Sequence, residues 1–174
     1  MTNLYQFCPR CATPLEEHHE GQFTRRRCSQ CGFVHYRNPV PAAGGIIQRD
    51  TALCLVRRAF EPRKGYWSLP AGFMEYDESA RQCAEREVSE ETGLVAHAGD
   101  VLGVYSGFDD PRQHAVLIMY WMDETEMREP TAGDDAEEVV FFRAEDIPEN
   151  IAFRAHRNAI RDAFVDPRFL HEAR

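Results

Sequence analysis

Cys8, Cys11, Cys28 and Cys31 set the spacing C-x2-C-x16-C-x2-C near the start of the chain. A C-x2-C pair on a tight turn aims two sulfurs at one point, and two such turns supply the four tetrahedral ligands of a zinc site. The neighbouring residues, in CPRC and CSQCGF, are the small, polar and turn-forming kinds such turns need. The segment carrying them, residues 1–38, is short of aliphatic residues and rich in Cys, His and Arg, so it cannot build a hydrophobic core of its own. Metal binding would then supply the missing folding free energy. Two disulfides are the competing reading, but disulfides persist in oxidising compartments. The opening MTNLYQFCPR lacks the basic-then-apolar pattern of a secretory signal. A cytoplasmic protein is therefore expected, with a structural Zn2+ on Cys8, Cys11, Cys28 and Cys31 and no open position for water. His18, His19 and His35 read as solvated surface residues, because the ligand set is complete without them.

RNPVP at 37–41 carries two prolines and reads as a linker. It divides a small module, 1–38, from a main domain, 39–174. AAGGIIQ and TALCLVRRA are apolar runs flanking Arg49-Asp50 and read as a β-hairpin. A loop with Pro62, Gly65, Pro70 and Gly72 follows, then SARQCAEREVSEE, free of Gly and Pro, with Ser79 placed to cap a helix and Gly93 to stop it. Strands are expected at VLGVYSGF, HAVLIMYWMD and EEVVFF. A second helix is expected where Phe153, Arg157, Ile160 and Phe164 recur at helical spacing. Mixed strands with two helices make the fold class α+β. With 43% hydrophobic residues the chain can bury a real core, and no apolar run reaches the roughly 18 residues of a membrane span.

The net charge of −9 is uneven. Residues 1–40 hold five arginines against three glutamates, a balance of +2 that leaves −11 for the rest. A body this acidic repels a polyanion unless a cation stands between them. Glu87, Glu90 and Glu91 stand at i, i+3 and i+4, on one face of the expected helix. Three carboxylates so close raise one another's pKa values, and a hard divalent ion, Mg2+ or Mn2+, removes that cost. A solvated acidic face balanced by Arg81 and Arg86 would carry the same residues, so the helix alone does not decide. Cys54 and Cys83 read as buried small hydrophobes.

The whole 23-residue string GFMEYDESARQCAEREVSEETGL does decide. Gly72, Glu78, Arg86, Glu87, Val88, Glu90, Glu91, Gly93 and Leu94 fill all nine defined positions of G-x5-E-x7-R-E-U-x-E-E-x-G-U, with U a bulky aliphatic. The string resembles the Nudix box. With GYWSLPAGF before it and EEVVFFRAEDIP after it, the resemblance covers about residues 40–150. It implies an α/β/α sandwich around a mixed sheet, preceded here by a small four-cysteine zinc ribbon. It implies metal binding by Glu87, Glu90, Glu91 and the carbonyl of Gly72, and a structural salt bridge between Glu78 and Arg86. Ala71 departs from the pattern, standing where many members have Gly.

The chemistry implied is pyrophosphohydrolysis: divalent ions neutralise the phosphates and activate a water. A general base is sought in Glu87 itself or in TAGDDAEE, where Glu138 resembles a late functional Glu of the family and Asp134, Asp135 and Glu137 stand beside it. Catalytic roles are thus expected of Glu87, Glu90 and Glu138, and phosphate binding of Arg58. Compared with NADH pyrophosphatases, the closer likeness is to zinc-ribbon Nudix pyrophosphatases of ADP-ribose and FAD, through FCPRC, CSQCG, RNP, WSLPAGFMEYDES and NIAF. A small nucleotide cleaved to release AMP is the expected substrate. SGFDDPRQHAV replaces the SQPWPFP-like array of NADH pyrophosphatases, which argues against NADH. The alternatives are a zinc-ribbon nucleic-acid-binding or RNA-processing Nudix protein, against which the ribbon's small positive charge counts, or an NADH pyrophosphatase. No membrane association is expected, and homodimerisation is left open.

Overall fold

The computed structural model describes residues 5–133 and 135–172; Asp134, one of the candidate bases, lies outside them. The chain divides after Asn38 into two compact units. The first is a three-stranded antiparallel sheet of β1 (Leu15–Glu20), β2 (Phe23–Cys28) and β3 (Val34–His35), in the order β1-β2-β3. Its core is small, as the composition requires: Cys8, Leu15 and Cys28 are buried, with Phe33 packed against them.

The second unit runs β4 (Val40–Ile46), β5 (Gln48–Arg49), β6 (Ala52–Arg58), β7 (Trp67–Ser68), β8 (Ala71–Phe73), α1 (Ala80–Thr92), β9 (Ala96–Gly107), β10 (Ala115–Glu124), β11 (Ala136–Arg143), α2 (Arg154–Val165) and α3 (Pro167–Glu172). One sheet has the order β8-β4-β10-β9, the other β11-β6-β5 with β7 on β6. β4 and β10 pair in parallel and their other neighbours antiparallel, so the first sheet is mixed.

That sheet sorts its side chains by parity. Ala42, Ile46, Leu117, Met119 and Trp121 pack with Ala155, Ala159, Ile160 and Ala163 of α2. Ala43, Ile47, Tyr120 and Met122 pack with Cys83, Ala84 and Val88 of α1. Helices therefore cover both faces, which is why β4 and β10 read as unbroken apolar runs and not as alternating ones. This is the expected α/β/α sandwich with its mixed sheet.

Two expectations need correction. The apolar runs flanking Arg49-Asp50 do meet in a hairpin, but a short one. Only Gln48 and Arg49 pair with Leu53 and Ala52, while β4 leaves for the other sheet and lies beside β10. A strand apolar on both faces is satisfied in the sheet centre between two helices, which a surface hairpin does not offer. In α2 the buried stripe is Ala155, His156, Ala159, Ile160 and Ala163; Phe153 is the N-cap and Arg157 is exposed. The small alanines let the helix approach the sheet closely, and that contact set the buried face.

α1 begins and ends as the sequence indicates. Ser79 and Gln82 form a reciprocal capping box, and Gly93 closes the helix at φ 70°, a left-handed conformation that glycine adopts without strain.

Candidate active site

The ribbon cysteines converge. All four Sγ atoms lie within 4.8 Å of one another, with Cys8–Cys31 at 3.5 Å and Cys11–Cys28 at 3.4 Å. Those separations are far beyond a disulfide bond of about 2.05 Å. They approach the roughly 3.8 Å edge of a tetrahedron whose Zn–S bonds are about 2.3 Å. The two turns are built alike: Ala12 N–H donates to Cys8 O at 2.9 Å and Gly32 N–H to Cys28 O at 3.1 Å, with both residues at positive φ. The cluster fits Zn2+ and disposes of the disulfide reading.

In the second unit a cavity of about 340 Å3 opens between β4, β8, α1, the loop after β9 and the start of α2. Gly72, Glu87, Glu91, Arg58 and Asp135 all line it. β8 brings Gly72 there by pairing with Ala43 of β4. A Cβ on Gly72 would overlap the Glu87 carboxylate, so this position admits only glycine while Glu87 keeps its place. Arg86 organises the carboxylates around it. Its guanidinium grips Glu78 through Nε at 3.0 Å and Nη2 at 2.7 Å, and reaches Glu87 at 2.7 Å and Glu90 at 3.0 Å with Nη1. This is the expected Glu78–Arg86 bridge, and it holds the Glu78 carboxyl down to about 2.

Glu91 is the electrostatic extreme of the cavity. One of its oxygens accepts the Ala71 N–H at 3.1 Å, but burial, then the charge of Glu87, push its carboxyl up to about 8. Burial raises Glu87 as well. Two half-buried carboxylates that oppose each other's ionisation, with Glu87 packed against Gly72, form a donor set suited to a hard divalent cation. The fit is not yet a closed ligand cage: among the described residues only the four cysteines bring three or more such ligand atoms within 4.8 Å. Glu87 and Glu90 are drawn to Arg86 and Glu91 to the β8 backbone, each carboxylate taking the positive partner nearest to it.

Against this geometry, the family model for the NUDIX domain matches residues 38–163. The chain belongs to the NUDIX family. An ADP-ribose pyrophosphatase of Methanocaldococcus jannaschii is 41% identical over 128 residues, covering 73% of this chain and 74% of that protein. The crystal structure of a NUDIX hydrolase from Nitrosomonas europaea superposes with a TM-score of 0.81 at 28% identity, covering 94% of this chain and 93% of that one. An NAD-capped RNA hydrolase NudC of Chromobacterium violaceum is 37% identical over 91 residues, but the match spans only 33% of its length.

Of the residues singled out from the NUDIX signature, Gly72, Glu87 and Glu91 meet in the cavity, and Arg58 joins them from the end of β6. Arg58 donates Nε–H to Pro62 O at 3.0 Å and lies over the Phe153 ring at 5.4 Å. Glu90 is not on the cavity wall; its largely exposed side chain sits against Arg86. Glu138 is not there either. It faces Arg57 at 3.1 Å on the neighbouring strand, and Asp135 takes the wall position. Asp135 stands just before β11, and the register shift between Ala136 and Glu138 pairs Glu138 with Arg57. Cys54 and Cys83 are fully buried, and burial pushes both thiols up.

The sequence reading missed Asp109, Asp110, Arg112, Phe153 as a wall residue, and His156. Only DDPRQ, a charged loop after a strand, carried a signal. His156 sat unnoticed inside an amphipathic helix, where a buried histidine resembles any other core position.

Proposed function

We propose that this NUDIX protein is a divalent-metal-dependent pyrophosphohydrolase that cleaves a nucleoside diphosphate derivative, ADP-ribose or FAD, and releases AMP. The observation that carries the reading is the shared cavity of Glu87, Glu91, the Gly72 backbone and Arg58. The M. jannaschii relative, 41% identical, is named for ADP-ribose.

Glu87, Glu91 and the Gly72 carbonyl would hold Mg2+ or Mn2+, with Glu90 completing the set from the helix rim. Bound there, the cation supplies charge neutralisation of the diphosphate and polarisation of the attacking water. Arg58 and Arg112, both on the wall, attract the phosphate oxygens and orient the phosphorus toward the carboxylates. Asp135 or Glu87 accepts the proton of the attacking water; Asp135 replaces Glu138 in this role because it is the one on the wall. Arg86 touches no substrate and holds Glu87 and Glu90 in register. The ribbon cysteines hold Zn2+ as a structural ion. Zinc held by cysteines fits a cytoplasmic setting; no helix among the described residues is long and apolar enough to cross a membrane.

The NudC match favours one competing substrate, NAD-capped RNA. The test is a panel of ADP-ribose, FAD, NADH and NAD-capped RNA with Mg2+ or Mn2+, resolved by chromatography. AMP from ADP-ribose or FAD, lost in Glu91→Gln, is expected. Cleavage of capped RNA alone would overturn the assignment.

A further inference from the structure

We propose that Asp109 and His156 form a subsite that holds a ribosyl hydroxyl pair of the substrate; this rests on reading the cavity as a nucleoside diphosphate site. Among the described residues, His156 Nδ1 and Asp109 Oδ1 are buried without a hydrogen-bond partner, and both residues line the cavity. Asp109 Oδ2 accepts the backbone N–H of Arg154 at 2.9 Å, capping the start of α2, and this bond fixes the carboxylate with Oδ1 unused. The His156 ring lies in α2, 5.8 Å from the Phe153 ring, which the Arg58 guanidinium covers from 5.4 Å.

Buried polar atoms are almost always paired, and leaving one unpaired is costly. Two in one ligand cavity indicate that the ligand provides the partners. The chemistry narrows the choice. A carboxylate oxygen accepts and cannot face a phosphate oxygen, so the ligand must donate to Asp109. His156 is neutral at ordinary pH, since burial and the nearby Arg58 hold it down to about 4. Its Nδ1 then either accepts or donates, depending on the tautomer. A hydroxyl satisfies both tautomers because it donates and accepts, whereas an amino group only donates and a carbonyl only accepts. A vicinal diol offers two such groups on adjacent carbons, one for each residue. Carboxylates serve ribose hydroxyls in the same manner in dinucleotide folds. ADP-ribose carries one ribosyl unit on each side of its diphosphate, and either can supply the pair.

The test uses the full-length zinc-loaded protein with Mg2+ and three substrates: ADP-ribose, its 2′,3′-dideoxyadenosine counterpart, and the methyl ester of ADP, which lacks the terminal ribose. Wild type should lose at least roughly tenfold in kcat/KM on one of the two hydroxyl-poor substrates, and which one identifies the ribose held. Asp109→Asn keeps the shape and a capping oxygen. It should lose a similar factor on ADP-ribose and nothing further on the poor substrate. His156→Phe, similar in volume, should erase the same discrimination. If wild type treats all three substrates alike, or if both variants weaken all three equally, the subsite is refuted while the hydrolase reading stands. If wild type cleaves none of them, the choice of ADP-ribose falls and this inference with it, whatever FAD does.

Discussion

Replacing His156 by phenylalanine should remove a specific acid lability. His156 is 9% exposed, and its imidazole is held down to about 4 from 6.5 by burial first and by Arg58 second. The native state therefore refuses a proton that the unfolded chain accepts between those two values. Protons bound by the unfolded state favour unfolding, so this contribution is fully present above about pH 6.5 and is lost as the pH falls toward 4. At about 1.36 kcal/mol per pH unit the loss amounts to roughly 3 kcal/mol, most of it spent by pH 4.5. Other groups titrate nearby. Glu91, raised to about 8, contributes in the opposite sense, favouring the native state as the pH falls from 8 toward 4.5. Glu78, lowered to about 2, withdraws its support only below about 4.5. The informative quantity is therefore the wild-type stability minus that of His156→Phe, which cancels the shared groups. Urea unfolding followed by fluorescence of Trp67 and Trp121 from pH 7.5 to 4.5 measures it. The difference should move by about 2–3 kcal/mol against the wild type across that range. A flat difference would mean that His156 is solvated or paired in the native protein, and the burial argument would be wrong.

The remaining expectations concern the carboxylates and the ribbon. Gly72→Ala pushes its new methyl against the mobile end of Glu87, so kcat should fall at least about tenfold while stability changes by under about 1 kcal/mol; an unchanged kcat would place Glu87 outside the site. Arg86→Ala leaves Glu78 and Glu87 without their cation and, allowing for partial exposure, should cost about 1–3 kcal/mol in denaturant unfolding. Asp135→Asn should lower kcat at least about tenfold, and Glu138→Gln should stay within about threefold, since an exposed pair with Arg57 is worth little; the reverse order would return the base to Glu138. Cys28→Ser should lose bound zinc, read by elemental analysis, and expose the β1–β3 backbone to hydrogen exchange.

Much of the molecule was legible without coordinates. The cap at Ser79, the stop at Gly93 and the convergence of Cys8, Cys11, Cys28 and Cys31 all depend on residues within a turn, a helix or a hairpin of each other, and the resemblance supplied the Glu78–Arg86 pair. Composition predicted that the ribbon would lack a core. The pairing of β11 was not legible: Asp135, just before the strand, lines the cavity, while Glu138 faces Arg57 on the neighbouring strand. Nor was the fate of β4, whose apolar run suits a hairpin and a buried central strand equally well.

What the sequence determined by itself is the local chemistry: helical spacing and tight turns fix the relative positions of side chains a few residues apart, whatever the rest of the chain does. The cavity belongs to the tertiary structure. Asp109 reaches Arg154 across 45 positions, and Ala71 reaches Glu91 across 20, only because β4 lies parallel to β10 and both helices close on that sheet. Burial then decided the ionisation of Glu91 and His156, since desolvation depends on every surrounding segment and not on neighbours along the chain.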